Sequence, residues 1–315
     1  MSYIYPERVL IGYLFLENMT IINANTISSP LTYGFPSITG FTGAVHALSR
    51  KVMAIDELAE FALDGVLIAC HDCQVQAYRE SPFKDFTFIQ TRNPILKSGK
   101  TASIVEEGRC HLKASLLVGV YRESRFGIDE DVLIELCKKV KQLAQQQRWA
   151  GGSVTHLRQV SFIKTDDLDS SKSKLYPAFV LMDAHQDLLD ITDELKQHNP
   201  DVTMLDALIE TATLHHVPNT DNGDTHWQTT SVKSGRGWLV PMPIGFQGIS
   251  PIFAKGDMTN SRNPEYPSQY VESIYSLGRW VFPHSIKDLS TALWYQRYDA
   301  EQSLYLVTQQ SHTAK

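Results

Sequence analysis

The chain has 315 residues, of which 43% are hydrophobic and 20% are charged, so it can form one large globular domain or two smaller ones. Its net charge of −6 argues mildly against a nucleic-acid partner, and it has no run of about 18 apolar residues that would predict a membrane-spanning helix. The N-terminus does not have the layout of a signal peptide, so we expect a cytoplasmic protein with no membrane partner.

The first predicted element is a long strand over residues 8–22, which is apolar on both faces, as central buried strands are. The stretch 23–43 follows and is rich in small and hydroxylic residues, whose backbone can come close to a ligand. It also carries two aromatic residues, Tyr33 and Phe35, beside Gly34. This composition indicates a binding loop, and the alternative is a structured loop that only caps an ordinary helix.

A helix is predicted from the end of this stretch to about Val52, and its N-terminal N–H groups favour an anion such as a phosphate. One stripe of the helix is apolar at helical spacing and consists of Phe41, Ala44, Val45 and Leu48. The opposite stripe is polar and consists of Thr42, His46, Ser49 and Arg50. A polar stripe next to such a loop could hold a phosphodiester.

Residues 63–75 are predicted to form a second strand, and residues 84–105 a protruding hairpin within the segment 80–108. The tip of the hairpin carries Arg92, Asn93, Lys97 and Lys100. Residues 79–125 contain nine Lys and Arg residues against five Asp and Glu residues. The average over the whole chain therefore hides a basic region that could bind nucleic acid.

A third strand is predicted over residues 109–121. Its even positions are apolar, whereas Arg109, His111 and Lys113 form a basic row, for which a solvated sheet face is the alternative. A helix over residues 129–148 follows and stops at the turn 150–153, whose two glycines can form an anion nest.

This order of elements is that of a ferredoxin-like or RRM-like sheet, and a strand at 177–183 could supply its fourth strand. We therefore predict an α+β fold with a single domain over residues 1–315 and a mainly helical C-terminal half. The helices predicted there cover residues 185–198, a segment that starts at Thr203 and buries Leu205, Leu208, Ile209 and Ala212, and residues 268–279 and 285–297. A polar loop is predicted at 217–235 and a last strand from Leu304 to Val307.

Residues 181–231 hold ten acids and one lysine, a net charge of −9, which leaves +3 for the rest of the chain. This charge marks the segment 184–236 as an acidic helical insertion. We do not expect it to contact RNA, and it could face solvent or a basic partner.

Catalysis would depend on histidine, because metal-independent RNA cleavage needs a general base near the 2′-hydroxyl. His46 and His111 are the two candidates, and nothing else in the sequence completes a catalytic set. The spacing of the four cysteines matches no common zinc ribbon, so we interpret them as buried thiols. We expect no metal and no cofactor.

A series of short motifs points further. They are Asn23-Ala-Asn, Ile27-Ser-Ser-Pro-Leu-Thr, Gly34-Phe-Pro-Ser, Phe41-Thr-Gly, His46-Ala-Leu, Leu63-Asp-Gly-Val, Thr91-Arg-Asn-Pro, Ile104-Val-Glu-Glu-Gly-Arg, His111-Leu, Ala150-Gly-Gly-Ser, Gly237-Trp-Leu-Val-Pro and Trp294-Tyr. Each motif alone is weak, but together and in this order they are specific for one protein family. From about Ile21 to Tyr295 the chain resembles the family of the second Csy subunit of the type I-F CRISPR surveillance complex, in the Cas-five branch of the RAMP superfamily. Asn260 and Arg262 also match the family pattern.

The resemblance implies an RRM-like palm of the RAMP type with a protruding hairpin thumb. It implies a subunit that holds the 5′ handle of the CRISPR RNA, forms a heterodimer with the large subunit and abuts the repeated backbone subunit. It also implies a role without nuclease activity, because a separate endoribonuclease cleaves the repeat in such systems. Double-stranded target DNA is reached only through the assembled complex, by base pairing with the guide.

Binding a bent single strand requires aromatic rings for the bases, and nests or basic groups for the phosphates. The residues expected to supply hydrogen bonds are Asn23, Asn25, Ser28 and Ser29, and the stacking candidates are Tyr33 and Phe35. The phosphate candidates are Thr42, His46 and Arg50, the thumb candidates are Arg92 and Asn93, and the remaining candidates are Arg109, His111, Gly151, Gly152 and Ser153. For Phe35, anchoring of the loop in the core is an alternative.

Two other functions stay open from sequence alone. The chain could be a metal-independent endoribonuclease that processes CRISPR repeat RNA, because some Cas-five relatives in other subtypes resemble such enzymes. It could also be an RRM-like interaction module whose basic face contacts only protein.

Overall fold

The computed structural model of the chain describes residues 5, 7–124, 127, 129–221, 224–259, 261 and 263–309, without the side chains of Arg92 and of residues 220, 221, 224 and 225. Asn260 and Arg262 lie outside the described residues. The α-helices are α1 (Thr39–Met53), α2 (Glu130–Gln145), α3 (His185–Lys196) and α4 (Met204–Ala212). The strands are β1 (Val9–Asn25), β2 (Ala62–Val75), β3 (Ala77–Tyr78), β4 (Thr87–Arg92), β5 (Ile104–Glu107), β6 (Arg109–Arg122), β7 (Arg148–Trp149), β8 (Gly152–Lys164), β9 (Phe179–Asp183), β10 (His215–Asp221), β11 (Asp224–Thr230), β12 (Trp238–Gly248), β13 (Val271–Val281), β14 (Tyr295–Asp299) and β15 (Leu304–Thr308).

One antiparallel sheet dominates the fold. In the described part of the chain it has ten strands in the order β14-β15-β12-β13-β9-β2-β6-β1-β8-β7. Two small sheets stand apart from it, one formed by β10 and β11 and the other by β3, β4 and β5. β1 and β6 pair along most of their length in the middle of the large sheet. Their apolar side chains point to both faces, so both faces must be covered to bury them.

The two faces of the sheet are covered differently. α1 and α2 pack on one face, where Phe41, Leu48 and Leu136 join the main core. On the other face, segments of 3₁₀ turn at 165–175 and 283–292 cover only part of the sheet. At the start of β6 this face is polar, because His111 and Lys113 of the predicted basic row are exposed there and Arg109 is partly exposed.

The strands predicted at 8–22, 63–75 and 109–121 are confirmed, as are the two helices that follow the first and third of them. The prediction that residues 177–183 supply the fourth strand of the ferredoxin-like sheet was wrong. Residues 177–183 contain β9, which pairs with β13 and with the middle of β2, whereas β8 takes the place beside β1. Sequence reasoning missed β8 because its polar residues do not alternate regularly with its apolar ones.

The prediction of a helical C-terminal half was also wrong. Residues 268–279 and 285–297 form β13, two 3₁₀ turns and the start of β14, and the predicted loop at 217–235 contains the hairpin of β10 and β11. Aromatic and β-branched residues suit the pleated surface of β13, where Tyr275 and Trp280 pair with β12 and Val281 pairs with β9.

The acidic segment contains α3 and α4, which pack on each other and on the sheet at β12 and β13. Thr203 and Asp206 form a capping box at the start of α4, the helix predicted to start at Thr203. Of the residues predicted to be buried on α4, Leu208 is buried, whereas Leu205, Ile209 and Ala212 are exposed. The helix contacts the sheet through a narrower stripe than its apolar pattern predicts, because Ala207 and Thr211 supply the rest of the contact.

Candidate nucleic-acid interface

The loop of residues 26–37 joins the end of β1 to α1 and is held by its own hydrogen bonds. The hydroxyls of Ser28 and Ser29 each lie 2.7 Å from the hydroxyl of Thr32. The Ser29 hydroxyl also accepts the Thr32 N–H at 3.0 Å. Ser28 and Ser29 therefore shape the loop, and their hydroxyls are engaged inside it.

A polar cluster lies at the end of β1. Asn23 adopts a φ of 54°, in the left-handed region that asparagine tolerates better than most residues. The side-chain nitrogen of Gln76 donates to Asn23 Oδ1 at 2.9 Å and lies 3.1 Å from His111 Nε2. Asn23 and His111 are exposed, as predicted for binding residues. Gln76 was missed because it lies outside every motif that the sequence offered.

Three backbone segments meet beside this cluster. Asn25 donates its N–H to the carbonyl of Ala150 at 2.8 Å, and Ala150 donates to the carbonyl of Gly40, at the start of α1, at 3.3 Å. Asn25 also pairs with Arg109 across β1 and β6. The end of β1, the turn 150–152 and the N-terminus of α1 therefore meet at one edge of the sheet, and this edge is formed by the ends of strands and not by an outer strand.

Some residues of the turn 150–153 are exposed to a ligand, whereas others only pack against the sheet. Gly151 has a φ of 79°, is exposed, and its carbonyl accepts the Nε–H of Arg148 at 2.8 Å. Ser153 is exposed, whereas Gly152 is buried against β1. Gly152 is therefore a packing residue, and Gly151 and Ser153 are the members of the predicted set that a ligand can reach.

Basic charge at this edge is partly neutralised. Arg109 Nε lies 3.4 Å from the carboxylate of Glu107, and both side chains are partly exposed. An exposed ion pair of this kind contributes little to stability, so the guanidinium remains available to a phosphate that competes for it.

The same loop forms one wall of a cleft of about 500 Å³ whose lining is mostly apolar. Tyr33 and Phe35 line it from the loop, and Phe179, Trp238 and Trp280 line it from β9, β12 and β13. The last three were missed, because sequence reasoning did not bring the C-terminal strands next to the loop.

The two predicted stacking residues differ in what they can offer. The ring of Phe35 lies 4.9 Å from that of Trp280 and 5.7 Å from that of Phe41, so it anchors the loop to the core. The side chain of Tyr33 is 66% exposed and contacts Phe88 edge-on at 5.3 Å. Trp238 is 56% exposed on the same cleft. Tyr33 and Trp238 are thus the rings that a flat ligand could stack on.

The polar groups in the cleft wall favour an uncharged ligand part. Burial, assisted by Lys113, lowers the pKa of His71, whose Nε2 lies 2.8 Å from the hydroxyl of Ser115. Burial and the neighbouring Asp72 raise the pKa of Cys70 to about 12, so its thiol stays protonated. Aromatic walls whose polar groups include His71, the Cys70 thiol and the Asp72 carboxylate suit a nucleobase or an apolar side chain better than a phosphate.

The polar stripe predicted on α1 was wrong in half of its members. Thr42 and Ser49 are buried, and the hydroxyl of Ser49 accepts the N–H of Leu63 at 2.8 Å. α1 packs against neighbours on more than one side, which a single helical stripe does not predict. His46 is partly buried and its Nδ1 has no hydrogen-bond partner within the described chain. Arg50 is exposed, in the last turn of the helix.

The predicted hairpin consists of β4 and β5, joined by an exposed segment that includes Asn93. The side chain of Arg92 lies outside the described residues. Phe88 of β4 contacts Tyr33, so the hairpin begins beside the loop.

Among the described residues, no group of three or more His, Cys, Asp and Glu side chains is placed to hold a metal ion. The described helices include none with both the length and the apolar character needed to cross a membrane.

The fold and this site define an α+β protein built on a large antiparallel sheet, in which one loop borders both a polar sheet edge and an aromatic cleft. The sequence model of the family described as CRISPR-associated protein (Cas_Csy2) matches residues 14–307. The chain is also 36% identical over 328 residues to the CRISPR-associated protein Csy2 of Pseudomonas aeruginosa (strain UCBPP-PA14), covering 97% of this chain and 96% of the relative. The chain therefore belongs to the Csy2 family, the second Csy subunit of the type I-F CRISPR complex, which confirms the resemblance found in the sequence.

Proposed function

We propose that the chain is a non-catalytic, cytoplasmic subunit that binds the 5′ handle of the CRISPR RNA and pairs with the large subunit at the tail of the complex, next to the repeated backbone subunit. Target double-stranded DNA is then contacted only through the assembled complex in antiviral defence. The observation that carries this proposal is the loop 26–37, which borders an edge rich in amides and histidine and a cleft lined by exposed aromatic rings.

The order of strands supports an RRM-like palm. β1, α1, β2, β6, α2 and β8 come in this order along the chain, with β3, β4 and β5 inserted before β6 and β7 before β8. Their strands lie in the sheet order β2-β6-β1-β8, which is the split βαβ arrangement. In this proposal the palm belongs to a single RAMP domain over residues 1–315, with the segment 80–108 as its thumb.

Each part of the site has a chemical role for single-stranded RNA. A base stacks on Tyr33 or Trp238 in the cleft, because every base has a π-face. The cluster of Asn23, Gln76 and His111 hydrogen-bonds a base edge or a 2′-hydroxyl. Phosphates lie against Arg109 and the exposed turn at Gly151 and Ser153. Further contacts come from Asn25, from Arg92 and Asn93 on the thumb, and from His46 and Arg50.

The absence of catalysis is supported by the placement of the two candidate histidines. His111 lies on the polar face of β6, whereas His46 belongs to α1, which packs on the opposite face. A general base and its acid partner must both reach the same phosphodiester. Repeat processing, the alternative function, would require cleavage of repeat RNA that is lost in His46→Ala or His111→Ala.

The test is the binding of RNA that carries the 5′ handle, compared with a scrambled handle, by fluorescence anisotropy over a range of salt concentrations. The chain is purified with its large subunit. Tyr33→Ala removes a stacking surface that is worth about 1–3 kcal/mol per base, so handle affinity should fall roughly 5- to 150-fold. Tyr266→Ala, at a tyrosine that is 67% exposed and does not line the cleft, is the matched control and should change affinity by less than about twofold.

A handle preference that disappears in Tyr33→Ala but persists in Tyr266→Ala supports the proposal. Equal and weak binding of both RNAs by the unmodified protein would contradict it, and recognition of the handle would then belong to another subunit.

A further inference from the structure

The most acidic part of the chain also exposes a row of large apolar side chains. Leu205 and Ile209 lie one turn apart on the same side of α4 and are 51% and 54% exposed. Leu214, two residues after the helix, is 57% exposed. The other side of α4 packs on the sheet through Ala207 and Leu208. The helix therefore buries one apolar side and leaves a second one open to solvent.

An open row of this kind differs from scattered surface apolar residues. Single exposed leucines are normal, but neighbouring ones at helical spacing usually mark a contact surface. The capping box of Thr203 and Asp206 fixes the start of this helix, so the row is presented on an ordered element.

Charge decides what kind of partner fits the row. Exposed carboxylates lie on α4 itself and on α3, which packs against it, among them Asp206, Asp190 and Asp193. Arg236 is paired with Glu194 and Arg279 with Asp187, and Lys196 is the one Lys or Arg residue within 181–231. The net charge of residues 181–231 is −9, which repels phosphates and attracts Lys and Arg.

We propose that the acidic apolar face, formed by Leu205, Ile209, Leu214 and the exposed carboxylates of α3 and α4, docks another protein subunit of the complex. The facing surface of that subunit presents apolar side chains ringed by Lys and Arg. RNA does not fit, because the face would hold phosphates next to carboxylates. A second copy of this chain does not fit either, because a two-fold contact would bring the same acidic face against itself. The inference rests on the proposed function for its premise that the chain works inside a complex.

The test uses the chain co-expressed with the other protein subunits of its type I-F complex and a CRISPR RNA. The complex is purified through a tag on this chain, and the subunits are counted by native mass spectrometry at low and high salt. The test variant combines Leu205→Asp with Ile209→Asp, and a second variant uses glutamine at both positions. Ile134→Asp, on α2 at a residue that is 48% exposed, is the matched control. A cooperative thermal unfolding transition of each variant shows that the variant is folded.

We expect both double variants to fold and to bind handle RNA as the unmodified chain does, while recovery of one protein subunit falls at least tenfold. High salt should lower recovery of the same subunit from the unmodified complex, because it screens the charged rim. Ile134→Asp should retain every subunit.

Full recovery of all subunits by the double variants would overturn the inference. So would a loss of RNA binding with subunit recovery intact, because the face would then contact RNA. A dimer of the chain alone that the double variants dissociate would assign the face to a second copy and also overturn it. If the unmodified chain recovers neither subunits nor RNA, the proposed function is wrong. That result is distinguishable from failure of this inference alone, in which the unmodified chain and the double variants both recover every subunit.

Discussion

Replacing Gly152 by alanine should destabilise the protein at the edge where the candidate site is assembled. A Cβ at this position would lie 2.5 Å from the Cγ2 of Ile21, 2.7 Å from the carbonyl oxygen of Ile22 and 2.8 Å from the N of Ala24. Two of these three atoms belong to the backbone of β1, so the strand or the turn must shift. Overpacking of this kind costs about 1–3 kcal/mol, and a disturbed backbone hydrogen bond adds about 1 kcal/mol.

Two other glycines provide the scale for this prediction. Gly151 has a φ of 79° and a nearest neighbour at 3.4 Å, so Gly151→Ala should cost only the left-handed strain of about 1–2 kcal/mol. Gly43 lies in α1 with no atom within 4 Å of the position of a Cβ. Gly43→Ala should therefore raise stability by about 0.8–1 kcal/mol through helix propensity.

Urea denaturation followed by circular dichroism measures the order, which should be Gly43→Ala, unmodified chain, Gly151→Ala and Gly152→Ala from most to least stable, with an unchanged m value. A Gly152→Ala variant as stable as the unmodified chain would refute the packing argument for the turn. A Gly43→Ala variant below the unmodified chain would show that the exposed side of α1 is not free.

Two further predictions concern stability. The pKa of His71 is lowered by burial, so the unfolded chain takes up a proton before the native one, and the free energy of unfolding should fall as the pH drops below about 6.5; His71→Gln should flatten this part of the pH profile in urea denaturation, and an unchanged slope would contradict the assignment. Thr203→Ala removes one half of the capping box and should lower the free energy of unfolding by about 1 kcal/mol. Relative to the unmodified chain, amide hydrogen exchange should become faster in α4 than in α2, and an equal change in both helices would show that packing alone holds α4.

The elements that local pattern predicts well are the long apolar strands and their helices. β1, β2 and β6 combine long apolar runs with clear boundaries, and Thr203 with Asp206 three residues later is a helix-start signal that the sequence carries directly. β8 and β13 were missed because their polar residues gave no clear period, and their identity depends on pairing with strands that are distant in the chain.

The site shows the same division. Asn23, Asn25 and Tyr33 could be predicted as candidates because a single stretch of sequence carries them, and the structure leaves them exposed. Trp238 and Phe179 were missed because they reach the cleft only through the tertiary pairing of β9, β12 and β13. Thr42 was misassigned because a helical stripe predicts which residues share a side, but not how many sides the protein covers.

The hydrogen bonds among Ser28, Ser29 and Thr32 affect the thermodynamics of any ligand that meets the loop. Fixing the backbone costs about 1–2 kcal/mol per residue, and this loop meets that cost when the chain folds, not when a ligand arrives. A preorganised surface keeps more of its contact energy as affinity, and it shows little difference between its free and bound shapes. Binding of a ligand by such a surface is limited by encounter and orientation, and it does not wait for a conformational change in the loop.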